Sequence, residues 1–63
     1  MKDYQERVVV EMKELANRLL KLTEFKETRV FRSLDKEDQG LLFEQFDHMK
    51  AYLEVLVKRI SRF

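Results

Sequence analysis

Cysteine is absent from this 63-residue chain, so no disulfide framework and no thiol nucleophile are available. Proline is absent too, and glycine occurs once, at Gly40, so neither half of the chain carries a strong helix breaker. A lone glycine also rules out a phosphate-cradling glycine loop. The single histidine, His48, argues against a structural zinc site. No serine has an adjacent base in sequence, and no catalytic constellation emerges, so an enzyme is not expected and no cofactor is implied. Charge of one sign is missing as well. Thirteen basic residues against twelve acidic ones leave a net charge of +1, which argues against bulk electrostatic binding to a DNA or RNA polymer. No apolar run is long enough to span a bilayer and no signal-peptide pattern opens the chain, so the expectation is a soluble intracellular protein without a membrane partner.

What the chain does have is two apolar stripes. The first is Val8, Met12, Leu15, Leu19 and Leu22; the second is Leu42, Phe46, Met49, Leu53, Leu56, Ile60 and Phe63. Both advance by three and four residues, the spacing that keeps one helix face apolar and seams it against another helix. The expected fold is all-α: an antiparallel two-helix hairpin, one domain over residues 1–63. Helix 1 is expected over about 3–27, a connection over 28–35 and helix 2 over about 36–62.

Local signals place these boundaries. Asp3 suits a helix N-terminus, where the dipole favours negative charge. Arg7–Glu11 and Glu14–Arg18 are i,i+4 pairs on the exposed side of helix 1. After Phe25 the stripe loses phase, and Thr28 and Val30 are weak helix formers. Asp35, with Asp38 three residues on, reads as the N-cap of helix 2. Phe31 and Leu34 are expected to plug the turn end against Phe25 and Leu41. Gly40 falls in the early turns of helix 2, either to admit a neighbour closely or simply tolerated.

Pairing the stripes puts Leu22 near Leu42, Leu15 near Met49, Val8 near Leu56 and Tyr4 near Ile60. A second apolar row remains on each helix: Val9, Ala16 and Leu20 on the first, Leu41, Tyr52 and Val55 on the second. One hairpin cannot bury both rows. A chain this small usually needs disulfides, a metal or association to be stable; the first is excluded and the single histidine argues against the second. The surplus rows therefore predict a homo-oligomeric helical bundle.

The polar residues that stand out are Tyr4, Arg7, Lys21, Thr23, Gln45, Tyr52 and Arg59. The tyrosines are either edge residues packing a ring on the seam or platforms for a planar ligand. Lys21 and Arg59 are either solvated heads on buried stems or anion contacts. His48 precedes the seam residue Met49 and reads as a boundary or interface residue.

The run Tyr4-Gln5-Glu6-Arg7-Val8-Val9, then Glu11, Leu15, Lys21-Leu22 and Phe25, resembles a family of small phage proteins. So does the second half, with Leu41-Leu42, Gln45, Met49, Tyr52, Leu56, Arg59-Ile60 and Phe63. The family is the helical-hairpin group shared by phage anti-CBASS and anti-Thoeris sponges, and the resemblance covers nearly the whole chain. It implies a non-enzymatic protein that forms oligomers, commonly hexamers, in the cytoplasm of the infected bacterial host. The implied ligand is a cyclic di- or trinucleotide, or a cyclic ADP-ribose type of immune messenger, held away from its effector. By resemblance the contacting tyrosine, lysine, threonine and arginine fall on Tyr4, Lys21, Thr23 and Arg59, with Arg7 a further ligand candidate. These residue types suit such a ligand, with cations for phosphates, an aromatic face for a base and a hydroxyl for a base edge.

Tyr4 and Lys21 are 17 residues apart, about 25 Å along one helix at 1.5 Å per residue. A compact messenger that meets both must lie between subunits, so a monomeric variant is expected to lose affinity. Two other readings compete. The surplus rows can serve a phage structural or protein–protein interaction module without a small-molecule ligand. Less well, Lys58, Arg59 and Arg62 can serve a nucleic-acid binder.

Overall fold

A computed structural model describes residues 2–63, and the chain is all-helical. Helix α1 spans Asp3–Phe25, α2 spans Arg29–Ser33 and α3 spans Lys36–Ser61. Asp3 and Glu6 occupy the first turn of α1, where exposed amides favour carboxylates. The Lys2 amide donates to Gln5 Oε1 at 3.1 Å, satisfying one of the orphan donors that every helix start leaves.

α1 stops at Phe25, two residues short of the expected end at 27, and the connection is not irregular throughout. It holds α2, a short helix that apolar periodicity does not reveal. Thr28 explains both changes. Its hydroxyl donates to the Phe25 carbonyl at 2.7 Å, closing α1, and accepts from the Phe31 amide at 3.2 Å, opening α2. A β-branched residue that disfavours a helix interior thus serves as a cap. Gln39 Nε2 then donates to the Phe31 carbonyl at 2.9 Å, tying α2 to α3. Asp35 caps α3 as its spacing predicts, accepting from the Asp38 amide at 2.8 Å. α3 ends at Ser61, one residue before the expected boundary.

The core lies between α1 and α3. Val8, Leu15 and Leu56 form its buried centre, with Met12, Met49, Leu53 and Ile60 packed against it. Leu56 is fully buried. At one end the Tyr4 and Phe63 rings meet edge to face, centroids 6.0 Å apart. At the other, buried Phe31 makes edge contacts with Phe25 at 6.0 Å and Phe43 at 5.5 Å. The expected plug partner Leu41 is instead 57% exposed. It lies one residue before the stripe at Leu42, which turns it about 100° off the seam, while α2 approaches the side of α3 that carries Phe43. The molecule is slender, with Cα extents of 45 × 15 × 13 Å.

The exposed charges of the helices pair little. Among the described residues neither Arg7–Glu11 nor Glu14–Arg18 closes, and the one ion contact is His48 Nε2 to Glu44 Oε1 at 3.8 Å. Holding two long side chains together in water gains only about 0.3–0.5 kcal/mol against their lost freedom.

Gly40 lies in α3, and a Cβ added there meets nothing within 4 Å. Gly40→Ala should raise stability by about 0.5–1 kcal/mol, whereas Leu56→Ala should lower it by about 2–5 kcal/mol. Urea denaturation followed by circular dichroism reads both, and a destabilised Gly40→Ala would mean that the space beside Gly40 is used in the assembled protein.

Candidate functional site

The five candidate ligand residues are all exposed, and they divide between the two ends of the molecule. Tyr4 and Arg7 lie on the first two turns of α1, and Arg59 lies on the last turn of α3. The Tyr4–Phe63 contact places these three at the same end. Lys21 and Thr23 lie on the last two turns of α1, whose exit meets Phe43 and Phe46 through Lys26. Within one chain the two groups do not meet.

Each side chain is disposed differently. Tyr4 is 53% exposed, with its ring in an edge-to-face contact with Phe63. The Thr23 hydroxyl donates to the Leu19 carbonyl at 2.9 Å, so it offers a ligand lone pairs rather than a proton. Lys21 and Thr23, two residues apart, project about 200° from each other around the helix. Lys21 and Arg59 make no side-chain hydrogen bond or ion contact among the described residues. Arg7 borders an open concavity of about 450 Å³ lined also by Asp3, Glu6, Val10, Glu11 and Glu14. Four carboxylates around one guanidinium make that concavity unfavourable for a phosphate in the isolated chain.

One cation at this turn end was not singled out by the sequence pattern. Lys26 Nζ sits 3.9 Å from the centroid of the Phe46 ring and 5.5 Å from that of Phe43. A signal for it was present: Lys26 follows Leu22 by four residues, which carries a lysine onto the seam face where its ammonium must find a partner. Among the described residues, no three His, Cys, Asp or Glu side chains are grouped to hold a metal ion. No helix is long and apolar enough to cross a membrane among those residues.

Similarity to known proteins places the chain as a whole. The Sequestin family model matches residues 2–62. The chain belongs to the Sequestin family. This agrees with the likeness to phage cyclic-nucleotide sponges carried by its residues. A relative in Enterobacteria phage T4, an uncharacterized 7.5 kDa protein of the denB-rIIB intergenic region, is 40% identical over 60 residues. The match covers 95% of this chain and 94% of that protein, so this Sequestin member and the phage protein correspond nearly end to end. No solved structure matches the chain significantly.

The Lys26 ammonium and the Lys21 ammonium sit less than two turns apart along the chain but in different surroundings. Lys26→Gln should cost roughly 0.5–1 kcal/mol by removing the cation from the aromatic faces. Lys21→Gln should change stability by less than about 0.5 kcal/mol, as expected of a solvated side chain. Thermal denaturation of the two variants separates these roles, and equal losses would contradict the assignment.

Proposed function

We propose that this protein is a phage anti-defence sponge: an antiparallel helical hairpin that assembles with copies of itself and sequesters a cyclic immune messenger without altering it. The observation that carries this reading is the Sequestin match over residues 2–62, whose name speaks of sequestering, joined to a relative encoded by a phage. The ligand class is a cyclic di- or trinucleotide or a cyclic ADP-ribose isomer, and the site of action is the cytoplasm of the infected bacterium. Withheld from its effector, the messenger triggers neither the CBASS nor the Thoeris response.

Five exposed residues supply the chemistry. The half-exposed Tyr4 ring stacks a base, and Lys21 and Arg59 meet phosphates. Thr23 accepts a hydrogen bond from a base edge, and Arg7 is a further contact that an assembled neighbour would have to draw out of its acidic surroundings. Stacking contributes about 1–3 kcal/mol per base, and a hydrogen bond to a charged group about 1.5–3 kcal/mol. Two such cations and one stacked base together contribute about 4–9 kcal/mol, which spans roughly millimolar to micromolar binding. Because the candidate residues sit at opposite ends of a 45 Å molecule, the pocket lies between chains, and six copies is the assembly that the resemblance implies.

A second reading has its own support. Leu41, Tyr52 and Val55 remain exposed on α3, as a protein–protein interaction module without a small ligand would require. A thermal-shift screen against cyclic di- and trinucleotides and cyclic ADP-ribose isomers separates the two. A messenger at 100 times its dissociation constant adds about 2.7 kcal/mol to stability. Lys21→Glu and Arg59→Glu should each weaken that messenger about tenfold or more. An assembled protein that no messenger stabilises would favour the interaction module instead.

A further inference from the structure

Helix α3 has two faces with helical spacing, and α1 covers only one of them. The other is Glu37, Leu41, Glu44, His48, Tyr52, Val55 and Arg59, all exposed. Leu41 is 57%, Tyr52 45% and Val55 51% exposed, large apolar side chains that no described part of the chain covers. The seven residues advance by 4, 3, 4, 4, 3 and 4, steps that keep them on one face and that read the same from either end. His48 is the midpoint.

We propose that this face pairs with the same face of α3 in a second copy, the two helices running antiparallel about a two-fold axis at His48. The inference rests on the reading that the chain self-assembles, and adds the surface and the register. In that register Glu37 meets the partner's Arg59, Leu41 meets the partner's Val55, and the Glu44 carboxylate meets the hydroxyl of the partner's Tyr52. On either side of the axis, where the two His48 side chains face each other, the three levels oppose charge to charge, apolar to apolar, or acceptor to donor. The complementarity extends to the helix ends, since Glu37 and Asp38 lie in the first turn of α3 and Lys58 and Arg59 in the last.

The alternatives fit worse. A parallel pairing would set Glu37 against Glu37 and Arg59 against Arg59, like charges at both ends. Sliding the antiparallel pair by one turn sets Leu41 against Lys58 and Arg59, or in the other direction Val55 against Glu37 and Asp38. Charge therefore selects both direction and register, while the apolar residues supply the area.

This pairing also draws the divided candidate site together. Within one chain Arg59 is at the end opposite Lys21 and Thr23. Antiparallel α3 pairing carries the partner's Arg59 to the level of Glu37, about 10 Å along the axis from Phe43, where the exit of α1 arrives. The partner's Arg59 then stands at the same end of the molecule as Lys21 and Thr23, which a single chain keeps apart from its own Arg59.

The absence of cysteine makes the test clean. Packed helices lie about 8–10 Å apart, which leaves directly facing Cα atoms about 3.4–5.4 Å apart, overlapping the disulfide range of about 4.4–6.8 Å. His48→Cys should cross-link to a dimer under mild oxidation at least tenfold faster than Asp47→Cys, which projects about 100° away around α3. Independently, Glu37→Arg and Arg59→Glu should each weaken association about tenfold or more in sedimentation runs. An equimolar mixture should restore it, because each altered residue then meets its complement. An oligomer in which Asp47→Cys cross-links as fast as His48→Cys, or in which mixing restores nothing, would overturn this face while leaving self-assembly intact. A native chain that sediments as a monomer even at millimolar concentration, or that associates only with a different protein, would overturn the self-assembly reading as well.

Discussion

Everything in this molecule depends on one seam between two helices, and a single seam buries little. Among the described residues Leu56 is the one large side chain fully removed from water, with Val8 and Leu15 beside it and Phe31 closing the turn. A core one layer deep cannot surround a ligand, and it cannot hide the apolar residues on the outer faces of its helices. The exposure of Leu41, Tyr52 and Val55 follows directly from that limit. So does the placement of every candidate ligand residue on the surface rather than in an enclosed pocket. Assembly and binding are, on this account, two consequences of the same thin core.

The ends of the molecule are fixed by aromatic contacts. Tyr4 against Phe63 closes one end, and Phe31 wedged between Phe25 and Phe43 closes the other. Lys26 adds a cation over Phe46, so a seam position taken by a charged residue still contributes to packing. These clusters hold Tyr4 and Arg59 at one end and Lys21 and Thr23 at the other. On the proposed reading, that spacing leaves the binding of one messenger to two chains rather than one.

Helical class and seam were legible because apolar periodicity is a strong signal and no proline interrupts it. The Asp35 cap was legible because a short acceptor side chain before an apolar run has one common use. The early end of α1 and the existence of α2 were not. Both rest on the Thr28 hydroxyl serving two backbone groups at once, a local competition that propensity averages conceal. Leu41 fails as a turn plug because one residue of phase separates it from Leu42, and the tertiary approach of α2 favours Phe43 instead. For the candidate site, the separation of Tyr4 from Lys21 could be read from residue counting alone. The acidic surroundings of Arg7 and the engaged Thr23 hydroxyl needed coordinates.

The claim at the centre is that the protein holds its messenger and returns it unchanged. Equilibrium dialysis against labelled cyclic di- and trinucleotides and cyclic ADP-ribose isomers, followed by heat release and chromatography, measures retention and integrity together. The account predicts that one messenger class is retained in stoichiometric proportion to the assembled protein and recovered intact. Recovery of a linearised product, or no retention of any class by an assembled protein, would contradict it.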